Sequence, residues 1–363
     1  MIKYPFKTRQ IALFFIAFLP TIKFFMLPSV LAKTANEDMW LCTVLNVILD
    51  ILTLSVILVA CKRYKSDFYS IIKTQFNENT AKIVYLLYFV YFILKCILPI
   101  IEQKDYIETT LYVTRPNNLY FMPLFLLAFF VACKELKVIA RLSDVMWVIT
   151  LLGVIILLSM SLSNVDLTNV LPFFANGGKK IISGSYYSLS WFGDSVYALF
   201  FIGNFKWEEK SRRNITLGYL GGALIVILFM IFFYCVFTSI AFREQFALTE
   251  ITKYTTVINN TGRFDYIGIM MLIFSDLFST LLPFYFAVRV LSKVINPNRK
   301  WTVPLAVSLL TIIITILLSE FTHSIEKFSV VYAGWFYLVM ANLFPITICL
   351  IPPKEKLNEE YQN

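Results

Sequence analysis

Six ionisable residues fall inside runs that are otherwise apolar: Lys23, Asp50, Lys95, Glu102, Asp194 and Asp276. A charge at mid-bilayer costs about 2.5–3.5 kcal/mol on insertion scales, so each needs a partner or a wet cavity. Buried charges of both signs can pair with one another, relay protons or hold a charged solute. Lys23 and Asp276 lie deepest in their runs and are expected at a central cavity, with Asp276 or Asp194 as the counter-ion of Lys23. Asp50 reads equally as a hydrogen-bonded structural carboxyl. Lys95 and Glu102 lie toward one end of their run, where snorkelling to the interface is expected.

Polar neighbours repeat at helical spacing. Thr43, Asn46, Asp50 and Thr53 recur at steps of three, four and three. Tyr88, Tyr91, Lys95 and Glu102 fall on one helix face, and so do Asp276, Ser279, Thr280 and Pro283. Three such stripes in three helices imply a shared polar interior.

The elements that must carry these stripes are membrane helices. The chain has 363 residues, of which 58% are hydrophobic and 15% charged, and a mean hydropathy of +0.72. Runs such as "YLGGALIVILFMIFFYCVFTSIAF" exceed the 18 or so apolar residues of a span. Ten spans are predicted, at 8–32, 40–60, 82–102, 117–133, 142–163, 186–204, 214–241, 264–291, 301–320 and 328–350. The basic N-terminal stretch before an apolar run reads as an uncleaved first span. Between spans, one side receives 21 Lys and Arg and the other 9. The positive-inside rule then places both termini, including the tail 354–363, in the cytoplasm. The net charge of +9 reads as topology and contact with anionic lipid, not as a nucleic-acid site. Phe68, Ile71, Ile72 and Phe76 in the second loop predict a short amphipathic helix. Gly218 and Gly222 predict close helix packing, within the chain or with a partner.

Ten spans divide into five and five, 8–163 and 186–350, all within one membrane domain. An odd number per half inverts the second half relative to the first, the plan of transporters whose sites lie at interrupted helices. Helix 1 carries "LPTIKFFMLP" and helix 6 carries "YYSLSWFGDSVYALFFIG". Each has helix breakers or polar residues at matching positions. Unwound backbone survives in a bilayer only where protein or water satisfies it. The ligand-binding set expected there is Thr21, Lys23, Tyr91, Ser190, Gly193 and Asp194. The ion-pair or coupling set is Lys23, Asp50, Asp276, Ser279 and Thr280.

No HExxH, P-loop or GxSxG motif occurs, which argues against an enzyme. Six scattered cysteines form no CxxC pair, so neither a disulfide frame, a metal site nor any cofactor is expected.

Several stretches carry a family resemblance. "MLPSVLAKTANEDMW" (26–40), "LYFVYFIL", "KELKVIARLSD" (134–144), "NVLPFFANGGKKIISG" (169–184) and "GRFDYIGIMM" (262–271) occur in the order seen in the spore germination permease family. These are the GerAB-type B subunits of bacterial spore germinant receptors, within the amino acid–polyamine–organocation superfamily. The resemblance implies an all-α, LeuT-like fold of ten transmembrane helices, with helices 1 and 6 discontinuous around a small-molecule site. It implies a nutrient sensor, for amino acids or similar molecules, in the spore inner membrane, working with receptor A and C subunits. Where the family carries glycine and small residues in helix 1, this chain has "TIKFF"; Glu135 and Gly262 also depart from the pattern. Two other readings stay open: a stand-alone amino-acid or cation secondary transporter of the same fold, and a structural membrane subunit whose site is plugged by Lys23.

Overall fold

The computed structural model describes residues 7–64, 66–106, 122–253, 265–318 and 321–351; among them every regular element is helical. The first span is broken into α1 (Thr8–Thr21), a 3-10 turn (Ile22–Phe24) and α2 (Leu27–Ala35). Then follow α3 (Met39–Arg63), the short α4 (Phe68–Gln75), α5 (Glu78–Tyr106), α6 (Met122–Ala132) and α7 (Leu136–Ser161). The sixth span is also broken, into α8 (Gly178–Tyr187) and a 3-10 helix (Asp194–Phe201). After it come α9 (Ser211–Phe237), α10 (Ala247–Lys253), α11 (Asp265–Ile295) and α12 (Thr302–Leu318). The tenth span is α13 (Thr322–Lys327), α14 (Gly334–Leu338) and α15 (Phe344–Leu350), joined by π-helical turns.

These limits differ from the hydropathy reading in instructive places. Span six begins at Gly178 rather than 186. Its first half, GKKIISGSYY, is polar and only ten residues long, about 15 Å, so it never fills an apolar window. Span one runs on to Ala35, and span three extends four residues beyond each predicted end. Residues 117–121 of the expected fourth span and 319–320 of the ninth lie outside the described residues.

Five helical stretches are long and apolar enough to cross a membrane. Their surfaces are inverted relative to a soluble protein. Exposed rows such as Leu45, Ile48 and Leu52 on α3 or Leu217, Leu220, Leu224 and Leu228 on α9 point outward. On the opposite face of α3, Thr43, Asn46, Asp50 and Thr53 are buried. Hydrocarbon supplies no hydrophobic drive between such helices, so close packing and internal polar contacts hold them together.

Two glycines of α9 allow that packing. A β-carbon on Gly218 would lie 2.5 Å from the carbonyl oxygen of Ala12, and one on Gly222 would lie 2.7 Å from that of Phe15. The Gly218/Gly222 pair therefore seats α9 on α1 within the chain. Aromatic rings fix the other side of α1. Phe14 meets Phe201 edge-on at 5.2 Å and Phe18 meets Tyr197 at 4.8 Å, tying the second half of the broken sixth span to the first.

The predicted amphipathic helix is α4. It buries Phe68, Ile71 and Ile72 against its neighbours, and Phe68 stacks on Tyr85 of α5 at 6.1 Å. Phe76, expected on the same face, is 51% exposed because the helix ends at Gln75. Asp67 caps α4 by accepting from the Ser70 amide at 3.4 Å and the Ser70 hydroxyl at 2.5 Å. Asp67 also pairs with Lys293 of α11 at 2.8 Å.

Candidate functional site

The break in the sixth span turns on Gly193. Its φ of +85° is the left-handed region, and an added β-carbon would lie 2.4 Å from that of Ala341 in the tenth span. Glycine is needed for both reasons. Beyond it the 3-10 helix starts with unsatisfied amides, which inside a membrane need an acceptor. Asp50 of α3 supplies one. Its Oδ2 accepts from the amides of Gly193 (3.0 Å) and Asp194 (3.3 Å) and from the Tyr219 hydroxyl (2.6 Å); its Oδ1 accepts from the Ser195 hydroxyl (3.4 Å). The negative charge also suits the positive end of the helix. Asp50 is thus a cap supplied from another helix.

The break in the first span follows Pro20, which has no amide hydrogen, and ends before Pro28 in the first turn of α2. Lys23 fills the gap. Its ammonium donates to the Leu19 carbonyl at 2.9 Å, one of the orphan carbonyls at the end of α1, and reaches Asp194 Oδ2 at 2.5 Å. It also lies 5.0 Å from the centre of the Phe192 ring. Both members of the pair are almost wholly buried.

Lys95 does not snorkel. It is 7% exposed, donates to the Phe192 carbonyl, and stands 3.9 Å from Asp194 Oδ1. Its remaining neighbours are the faces of Tyr337 (5.7 Å) and Tyr91 (6.0 Å). Glu102 does not snorkel either: it is 3% exposed and accepts from the Trp191 indole at 2.9 Å. Both expectations failed because α5 runs past the predicted limit at each end, which moves Lys95 inward.

Between the two breaks lies a small cavity, lined among others by Phe18, Lys95, Ser190, Trp191, Asp194 and Tyr197. Its free volume is about 10 Å³, close to that of one water. Among the described residues, the hydroxyls of Ser190 and Tyr197 are buried without a hydrogen-bond partner. Orphaned buried hydroxyls are costly, and two on one cavity mark a place for another molecule's polar atoms.

The other predicted residues gather around this centre in separate clusters. Thr21 and Ser279 meet hydroxyl to hydroxyl at 2.5 Å, joining the first span to α11. Tyr91 donates to the Gly193 carbonyl at 3.4 Å. Asp276 and Thr280 do not join Lys23; both accept from the Gln103 amide, at 2.8 Å for Thr280. Asn46 donates to the Ser188 hydroxyl at 2.8 Å and Thr53 to Asn342 at 2.8 Å, so the whole polar stripe of α3 braces the sixth and tenth spans. Sequence reasoning missed Gln103, Tyr197 and Tyr219. Tyr219 sits between the two packing glycines of α9, a position that signals burial near α1 but not its hydroxyl's target. Among the described residues no group of three or more His, Cys, Asp or Glu converges as a metal site would.

Comparison with known proteins adds two findings. A family model described as a spore germination protein, the spore permease family, matches residues 6–324. Among solved structures, the chain is similar to Mhp1, a nucleobase-cation-symport-1 family transporter, in a closed conformation with bromovinylhydantoin bound. The TM-score is 0.58 at 13% identity, covering 92% of this chain and 77% of that one. That likeness concerns the fold, a ten-helix LeuT-like plan with the first and sixth helices discontinuous. No curated protein sequence matches significantly.

Proposed function

The chain belongs to the spore permease family of spore germination proteins, and from that premise we propose that it is the permease-like B subunit of a germinant receptor. It binds a small nutrient of amino-acid size in the cavity between the broken helices. It lies in the spore inner membrane with both termini in the cytoplasm, and it signals through receptor A and C subunits. The observation that carries this reading is the pair of orphan hydroxyls, Ser190 and Tyr197, on a cavity that also holds Lys95 and Asp194. The transporter whose fold it shares binds a small molecule, which supports a solute site in the same architecture.

At about 10 Å³ the cavity is closed around no more than a water. A nutrient must therefore favour a second, wider state, and its differential affinity for that state is the whole of its signal. The same small volume favours one alternative, a structural subunit whose site is plugged by the Lys23–Asp194 pair. Germination assays on spores carrying Ser190→Ala separate the two. A nutrient site predicts a higher half-maximal nutrient concentration at unchanged receptor level. A plugged site predicts an unchanged dose–response. A stand-alone transporter would instead take up solute when the chain alone is placed in liposomes, which a receptor subunit would not.

A further inference from the structure

The polar groups of the central site are unevenly used. Asp50 accepts from four donors, two of them the amides that open the 3-10 helix. The place where a broken helix would attract an anion is therefore filled by the protein's own carboxylate. Asp194 is held by Lys23 at 2.5 Å. Lys95 is different. Of its three N–H donors, one goes to the Phe192 carbonyl; Asp194 Oδ1 at 3.9 Å is beyond hydrogen-bond reach. The faces of Tyr91 and Tyr337 tolerate an ammonium but do not neutralise it.

We infer that the central site is built for a small carboxylate anion, and that Lys95, with the Ser190 and Tyr197 hydroxyls, is the group that holds it. The inference rests on the site assignment above. Three donors of one cavity lack acceptors, and a carboxylate brings two acceptor oxygens and the missing negative charge. Apolar walls from Phe18, Ile22, Leu98 and Pro283 exclude water and so strengthen the attraction. An amino group on the same ligand finds no free carboxylate, since Asp194 is already engaged, and it meets the two ammoniums of Lys23 and Lys95. The site thus selects by repulsion as well as attraction. A hydroxy acid fits better than the amino acid of the same shape.

The test is binding to the full chain in lipid nanodiscs, followed by thermal shift or calorimetry with matched probes: L-lactate, L-alanine and L-alaninamide, and their phenyl counterparts phenyllactate, phenylalanine and phenylalaninamide. Within at least one series the hydroxy acid is expected to bind about tenfold or more tighter than the amino acid, and neither amide is expected to bind. Lys95→Met is expected to lose the hydroxy acid while melting at or above the wild-type temperature. Tighter binding of an amino acid or an amide than of its hydroxy acid overturns the anion assignment and leaves the site reading standing. Unchanged hydroxy-acid affinity in Lys95→Met also overturns it. Binding of none of the six overturns the site reading itself.

Discussion

Lys23 and Asp194 join the two interrupted helices of this protein, ammonium to carboxylate at 2.5 Å, with both side chains almost wholly buried. One comes from the gap in the first span and the other from the start of the 3-10 helix in the sixth. The pair closes the two breaks onto each other, and Lys95 stands 3.9 Å away on the far oxygen.

The two partners are not equivalent. Removing Asp194 leaves two buried ammoniums without a carboxylate, whereas removing Lys23 leaves Asp194 beside Lys95. Asp194→Asn is expected to cost about 3–5 kcal/mol, the usual cost of breaking a buried pair, and Lys23→Met distinctly less. Thermal unfolding of both variants in nanodiscs measures the order. Equal losses would show that Lys95 gives Asp194 no support.

Asp50 acts through its acceptors. Asp50→Ala leaves the Gly193 and Asp194 amides and the Tyr219 hydroxyl without a partner, at about 1–3 kcal/mol for each buried orphan. Asp50→Asn keeps an acceptor oxygen and is expected to be the milder change. Folded yield and melting temperature report the difference. Equal tolerance of alanine and asparagine would remove the capping role.

At the other end of the molecule, Asp67 ties α4 to Lys293 beside a cavity of about 20 Å³ that Asn204 also lines. Burial raises the Asp67 carboxyl, but Lys293 and Ser70 outweigh it and hold it below the usual range. A lowered folded value means the contribution is present above the carboxyl's ordinary pKa of about 3.9 and is lost as pH falls through the folded value. Both side chains are partly exposed, so screening keeps the pair within about 1 kcal/mol. Alkylation of Asn204→Cys is expected to be a few-fold faster with Asp67→Asn at pH 7, and in the parent only at strongly acid pH. Equal rates at pH 7 would show that the pair does not close this cavity.

Periodicity made the interior faces legible. Thr43, Asn46, Asp50 and Thr53 recur at helical steps and are all buried. The breaks were legible too, because Pro20, Pro28 and Gly193 leave marks that a continuous helix does not bear. The partners were not. Asp50 meets amides 143 and 144 positions away, a distance no local pattern encodes, and Asp194 and Asp276 were equal claimants for Lys23. Lys95 was misplaced because depth was judged from the apolar run, while α5 itself runs from Glu78 to Tyr106. Gln103 carries no charge and so gave no signal, yet it is the residue that holds Asp276.

The central claim is that Ser190 and Tyr197 wait for a ligand's polar atoms. Tyr197→Phe tests it most directly, because it removes one orphan hydroxyl and little else. The account predicts that spores carrying Tyr197→Phe need about tenfold more of the nutrient that triggers the parent spores, the equivalent of about 1.4 kcal/mol, at unchanged receptor level. An unchanged half-maximal nutrient concentration would contradict it.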